Sequence, residues 1–311
     1  MRLLTIAVLL ASALFGMPVF AAAQNPSTKA LTFTDISGMF PLVPLAVSKS
    51  TVVGYMCCQS DAVYDQFLVG FAQTRSSLNY PSLGLFGRPL AGSSFASGVN
   101  ASGTVVGSMC GLQEACGEAT VGEHAFAADY TPSYGYTLTP MDFPGAASTI
   151  GGGINSQGVV VGSYCVTDTS CGTFESDHGF EFQGGVYTTV DFPGAKFTSI
   201  NAINDNGDMV GVYGTQKAHG FLLHNGVFTT LDVPNAGRFE NFESINSAGV
   251  IVGTYTDAQN KSHGFEYING VYTNLDYPNA TGTTADGIDD QGEIIGSFSM
   301  GNNRLHGYVA K

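Results

Sequence analysis

Five histidines stand in one repeated frame, His-Gly/Ala-Phe/Tyr: His124, His178, His219, His263 and His306. An imidazole repeated at regular spacing is a candidate metal ligand or proton carrier. One histidine per repeat, however, spreads the imidazoles over the molecule instead of gathering them on one ion. A second repeated frame, Asp-x-Pro-Gly/Asn-Ala, offers a partner for each: Asp142, Asp191, Asp232 and Asp276, with Asp35 as its earliest copy. The expectation is a structural His–Asp pair in each repeat, with no metal and no cofactor. Buried polar pairs of this kind are costly to break singly. Asp205-Asn206-Gly207-Asp208 and Asp289-Asp290-Gln291-Gly292-Glu293 faintly resemble calcium loops. Their glycine comes too early for that coordination scheme, and a hairpin turn fits better.

Charge and aromatics meet in two other stretches: Lys196-Phe197, and Arg238-Phe239-Glu240-Asn241-Phe242-Glu243. Lys196, Phe197, Arg238, Phe239, Glu240 and Glu243 are the candidate ligand-binding residues, and Glu240 with Glu243 could serve as acid and base in an enzyme. No G-x-S-x-G, H-E-x-x-H or P-loop pattern occurs, so no catalytic residue is assigned.

The elements that would hold these residues are repeats. Ile203-Asn204-Asp205-Asn206-Gly207-Asp208-Met209-Val210-Gly211 has counterparts at Ile154–Gly162, Ile245–Gly253, Val99–Gly107 and Ile288–Gly296, with a worn copy at Val47–Gly54. From the proline of Asp-x-Pro (or Pro89) to the motif Asn or Asp is 11 residues in four repeats and 12 in the repeat that contains Pro234 and Asn246. The alternation of these motifs resembles that of the extracellular HAF-repeat proteins, whose name-giving tripeptide is present as His124-Ala125-Phe126. The resemblance covers nearly all of the chain after residue 23. It implies repeat architecture and export, and adds no catalytic residue.

Each unit reads as four short strands. In the fourth, Thr198–Asn204 is followed by an Asn206-Gly207 turn of type I′, then by Met209–Tyr213, His219–His224, an Asn225-Gly226 turn and Val227–Leu231. Helical periodicity is nowhere sustained beyond the N-terminal segment. The expected fold is all-β: a six-bladed β-propeller of four-stranded antiparallel blades. The chain ends after only three strands of its last blade, and residues 30–35 resemble the missing fourth. Their expected role is to complete that blade and shut the ring; an open solenoid or a stacked sandwich is the alternative.

Residues 1–23 read as a signal peptide, with Arg2, an apolar core and Ala21-Ala22-Ala23 at the cut. Residues 24–311 form the single expected domain, exported to the periplasm or outside the cell. Six cysteines agree with an oxidising compartment. Cys110–Cys116 and Cys165–Cys171 are expected as local bridges, while Cys57-Cys58 is either a vicinal disulfide or two thiols. Eleven cations against 25 acids, a net charge of −14, exclude nucleic acid as a partner and make an anionic membrane surface a poor one. No membrane insertion is expected after cleavage, and a monomer is. The loops between second and third strands vary most, and the longest carry cysteines, so that face is the expected binding face. The favoured role is a binding module for a glycan or protein ligand. A secreted glycan lyase or hydrolase and a structural envelope component are the alternatives.

Overall fold

Valine, isoleucine and aromatic residues alternate with polar ones between glycine-rich turns, and the described residues accordingly form 24 short strands. The computed structural model describes residues 31–36, 42–48, 51–57, 68–74, 94–110, 122–131, 135–166, 176–215, 217–237, 239–301 and 305–311. No helix occurs among them. The signal segment expected at 1–23 lies outside the described residues.

β1 (Phe33–Asp35) precedes the repeats. β2 (Leu42–Ser48), β3 (Thr51–Cys57) and β4 (Leu68–Thr74) form a three-stranded sheet. β5 (Ser94–Val99), β6 (Val105–Cys110), β7 (Glu123–Thr131) and β8 (Gly135–Pro140) form a four-stranded one. The next comprises β9 (Ser148–Ile154), β10 (Val160–Cys165), β11 (His178–Gln183) and β12 (Val186–Thr189). It is followed by β13 (Phe197–Ile203), β14 (Met209–Gly214), β15 (Ala218–His224) and β16 (Val227–Leu231), then by β17 (Glu240–Ile245), β18 (Ile251–Thr256), β19 (Ser262–Ile268) and β20 (Val271–Asn274). In the last sheet β21 (Gly282–Thr283) and β22 (Gly287–Ile288) are two halves of one interrupted strand, followed by β23 (Ile294–Ser299) and β24 (Leu305–Ala310), with β1 paired outside β24.

All pairings are antiparallel, as meanders except for β1 with β24, and successive sheets pack through their first strands: β2 on β5, β5 on β9, β9 on β13, β13 on β17, β17 on β22. β2 also packs on β22, β23 and β24. This is a β-propeller of four-stranded antiparallel blades. The sequence led us to expect six such blades. Five sheets have four or more strands, and the worn first copy contributes three, β2–β4, among the described residues.

The repeat motif reads out as a set of packing requirements. Its isoleucine enters the core between sheets, where Val159, Val161, Ile200, Ile203, Met209 and Phe221 form one cluster. The Phe or Tyr of His-Gly-Phe is a large, fully buried group in each later sheet: Phe126, Phe180, Phe221, Phe265 and Tyr308. The glycine closing the motif is forced by a close backbone approach. A Cβ on Gly211 would lie 2.0 Å from the Ser199 carbonyl oxygen, and one on Gly162 would lie 2.0 Å from that of Ile150. The turn glycine is different, because Gly207 has φ +84° and open space around it.

Asn206, unlike Asn225, does not have positive φ, so the Asn206-Gly207 turn is not the type I′ expected; of the two turns in this unit, Asn225-Gly226 alone has both residues in that region. The reason is Asn204. Its Oδ1 accepts the backbone N–H groups of Asn206 (3.0 Å) and Asp208 (2.9 Å), which fixes a wider turn with left-handed backbone at Gly207 alone. The same oxygen of Asn100, Asn155, Asn246 and Asp289 accepts the N–H groups two and four residues on. The amide nitrogen then reaches across to the next sheet. Asn100 donates to the Asn155 carbonyl (3.2 Å), Asn155 to Asn204 (3.2 Å), Asn204 to Asn246 (3.0 Å) and Asn246 to Asp289 (3.1 Å).

Replacing Asn155 by alanine leaves the buried Val159 N–H without its acceptor, frees the exposed Gln157 N–H and removes the cross-sheet bond to the Asn204 carbonyl, so we expect a loss of about 2–4 kcal/mol in urea unfolding. Asn155→Asp keeps the acceptor and is expected to lose less. Equal losses in the two variants would show that the cross-turn bonds do not dominate.

Candidate functional site

Each innermost strand carries a β-bulge three residues before the motif Asn or Asp. The register skips Leu45, Ser97, Gly152, Asn201 and Glu243, and the interruption between β21 and β22 puts Asp286 at the same place. A bulged residue stands outside the ladder and can be re-aimed. Here the bulges turn toward the axis: Leu45, Ser97, Asn201 and Glu243 line a cavity of about 100 Å³ bounded below by the Asn turns. One side of this set is small or apolar, and the other is polar and acidic.

The polar side is linked from Asn201 to Glu243, with Asp286 beside it. Asn201 Nδ2 donates to Asn241 Oδ1 (2.7 Å) and to the Phe242 carbonyl (3.0 Å). Asn241 Nδ2 donates to Glu243 Oε1 (2.6 Å), and Thr284 Oγ1 donates to Asp286 Oδ2 (2.7 Å). Burial lifts the Glu243 carboxyl to about 7, against the opposing bond from Asn241. Burial also lifts Asp286 well above the carboxylate range, and the charge of Glu243 adds to this while Thr284 opposes it. Both carboxyls therefore hold their protons to higher pH than an ordinary carboxylate does.

A second set lies at the crossovers. The structure places His124 Nδ1 3.0 Å from Asp142, His178 Nδ1 2.8 Å from Asp191, His219 Nδ1 2.7 Å from Asp232, His263 Nδ1 2.9 Å from Asp276 and His306 Nδ1 3.4 Å from Asp35. Each of the last four imidazoles leans on an aromatic ring of its second strand: Tyr164, Tyr213, Tyr255 or Phe298. The residue after the Asp stacks on three of those rings, Phe143 on Tyr164, Phe192 on Tyr213 and Tyr277 on Phe298, at 3.5–3.6 Å. The backbone N–H of each stacking residue donates to a threonine, Thr149, Thr198 or Thr283, at 3.0 Å.

One crossover departs from this scheme. Val233 replaces the stacking aromatic, and Glu240, 2% exposed, replaces the threonine as acceptor of the Val233 N–H (2.9 Å). The 12-residue spacing belongs to this crossover. Burial pushes Glu240 upward and the Val233 N–H opposes it; the hydrogen bond and charge of Asp232 add to the rise, and Lys217 Nζ, 3.9 Å away, opposes it. Asp232 is also driven upward by burial, but its bonds with His219 and Glu240 and the nearby cations hold it below the usual range.

The sequence-selected ligand residues do not form one cluster. Lys196 is exposed, Phe197 is buried at the start of β13, and Phe239 is 48% exposed. Arg238 lies outside the described residues. Glu240 belongs to the crossover and Glu243 to the axis, so the acid–base pair imagined for them is not formed; Glu243 faces Asp286 instead. The cavity also lies toward the short Asn turns, not the cysteine-bearing loops. Asn201, Asn241 and Asp286 were missed. The signal was present in the position three before the motif Asn or Asp, the variable member of an otherwise constant frame. Of the cysteines, Cys58, Cys116 and Cys171 lie outside the described residues, so no pairing is assigned.

No protein-family model matches the chain, and no curated protein matches it either. Solved structures do. AofleA from Arthrobotrys oligospora superposes with a TM-score of 0.56 at 10% identity, over 90% of this chain and 86% of that one. A variant of the Aleuria aurantia lectin in complex with Fucα1-6GlcNAc gives 0.51 at 11% identity, over 86% and 91%. A Trypanosoma rangeli sialidase gives 0.53 at 8% identity over 87% of this chain, which spans about half (54%) of the sialidase. The likeness is one of fold.

The raised Glu243 and Asp286 carboxyls bind more protons in the folded than in the unfolded chain between the ordinary carboxylate range and about pH 7. Stability therefore falls as pH rises through that window. Unfolding in urea is expected to show a decline of about 1–3 kcal/mol between about pH 5 and about pH 8, and Glu243→Gln to flatten it. A profile unchanged by that substitution would remove the carboxyl pair as its source.

Proposed function

We propose that the protein is an exported binding module that takes a glycan at the axial mouth of the propeller. The carrying observation is the linked set Asn201–Asn241–Glu243. Asn201 and Glu243 line the axial cavity and Asn241 bridges them, so an amide and a carboxyl are held together where sugar hydroxyl groups can be met by both donor and acceptor. The Aleuria aurantia lectin, a propeller of like fold, is known in complex with Fucα1-6GlcNAc, which supports a sugar as the ligand class. The purified protein applied to a broad glycan array is expected to retain one class of sugar, and Asn201→Ala to weaken that binding at least tenfold. Retention that survives Asn201→Ala and Glu243→Gln together would move the site elsewhere, and no retention would end the glycan reading.

One observation favours a hydrolase as the second reading. Glu243, which lines the cavity, and the neighbouring Asp286 are two carboxyls whose hold on a proton is raised by burial, and glycoside cleavage uses a pair of carboxyls. Turnover of a retained glycan, abolished by Glu243→Gln, would select it.

We further infer that the chain is a HAF-repeat protein whose six repeats close into one ring, with β1 as the outer strand of the last blade. Support comes from the register Phe33↔Ala310 to Asp35↔Tyr308, the paired backbone bonds of Thr32 and Lys311, and the Phe33 ring set 5.2 Å from Tyr308 and 5.4 Å from Tyr277. Export with loss of residues 1–23, the two local disulfides and a monomeric state complete this reading. Removing everything before residue 36 is expected to lower the melting temperature by 10 °C or more, on the order of what losing one strand pairing costs; an unchanged melting temperature would contradict closure.

A further inference from the structure

The repeats act as controls for one another, and the crossover between β16 and β17 is the one that departs from its siblings. Elsewhere a threonine meets the N–H after the Asp with its single oxygen, and an aromatic ring covers the second-strand ring. Here Glu240 meets the same N–H with Oε2 alone. Among the described residues no N–H or O–H group donates to its buried Oε1; the Glu240 carboxyl is crowded by that of Asp232, and Lys217 Nζ stays 3.9 Å away on a half-exposed side chain. One ligand atom each of His219, Asp232 and Glu240 lies within 4.8 Å of the others. His124–Asp142 and His178–Asp191 repeat the His–Asp half of this arrangement alone, and at His263–Asp276 the additional carboxylate, Asp257, sits on the far imidazole nitrogen, Nε2, at 3.3 Å, so it does not share the Nδ1 side with Asp276. With Val233 in place of an aromatic ring, the side chain beside the pair is also smaller.

We propose that His219, Asp232 and Glu240 bind one Zn²⁺ ion, with solvent at the fourth position. One imidazole nitrogen and two carboxylate oxygens make a donor set that zinc accepts and that calcium, which wants six or more oxygens, does not. His219 is about one-third exposed and Asp232 about half, so an ion reaches the site from solvent, while Glu240 anchors it from the interior. Lys217 is then the resident cation that zinc displaces, and its flexible stem lets it move outward.

The test is calorimetric titration of the purified full chain with zinc chloride, with calcium chloride as the comparison. One equivalent of zinc is expected. Glu240→Thr installs the residue of the sibling crossovers and keeps the Val233 bond, so it should fold. It is expected to weaken zinc binding at least thirtyfold. Lys217→Met removes the competing charge and is expected to tighten binding severalfold. Asp191→Ala, at a sibling pair lacking the third carboxylate, should leave it unchanged. Absence of zinc binding, binding equal in the parent and Glu240→Thr, or calcium taken in preference to zinc would each overturn the site. Glycan retention does not enter this readout, so the two sites stand or fall separately.

Discussion

One carboxamide per repeat holds the local turn and the neighbouring sheet in the same grip. The oxygen of Asn155 closes its own turn by accepting two N–H groups, which orients the nitrogen toward the Asn204 carbonyl of the next sheet. Turn shape and sheet-to-sheet spacing are thereby coupled, since neither can change without breaking the other's bond. Only a planar amide at this position does both, because serine lacks the reach and a carboxylate lacks the donor. At Asp289 the carboxylate still caps its own turn. The cross-sheet series of amides ends there, where the sheet containing β1 begins its packing on β2.

Once that grip is set, the rest of the repeat has little freedom. The bulge brings a carbonyl against the second strand, which demands glycine there, and the space over that glycine is filled by the phenylalanine of the third strand. In the fourth and fifth repeats the third-strand histidine sits opposite the second-strand tyrosine, Tyr213 with His219 and Tyr255 with His263, and is tied to the Asp of the crossover. These positions describe a frame that recurs from unit to unit with local departures. Chemistry is confined to places that the frame leaves open: the bulged residue, which no ladder bond uses, and the threonine position of a crossover, where any oxygen acceptor satisfies the backbone.

Much of this frame was legible in the sequence. Repeat spacing located the strands, and in the fourth unit Val227–Leu231 was read with the bounds it has in the structure. The His and Asp frames could be matched because both recur once per unit. The turn at Gly207 was misread because Asn-Gly alone suggests one hairpin geometry, while the deciding bonds come from Asn204, two residues earlier. The axial set was missed for a deeper reason. A bulge breaks the alternation by which a strand's inward residues are recognised, so Glu243 and Asn201 point where a regular strand would not send them. Glu240 and Glu243 are close in sequence, but the same bulge separates them in space and gives each a partner from another repeat.

The seam between Thr32 and Lys311 has a consequence for how the chain could be rewired. These residues exchange backbone hydrogen bonds in both directions, so the two ends of the described unit lie side by side in one sheet. A short peptide joining them, with a new opening at an exposed turn such as Asn225-Gly226, would preserve every strand neighbour while changing which repeat is made first. In such a circular permutant, strand order along the chain and blade order around the axis become separable variables.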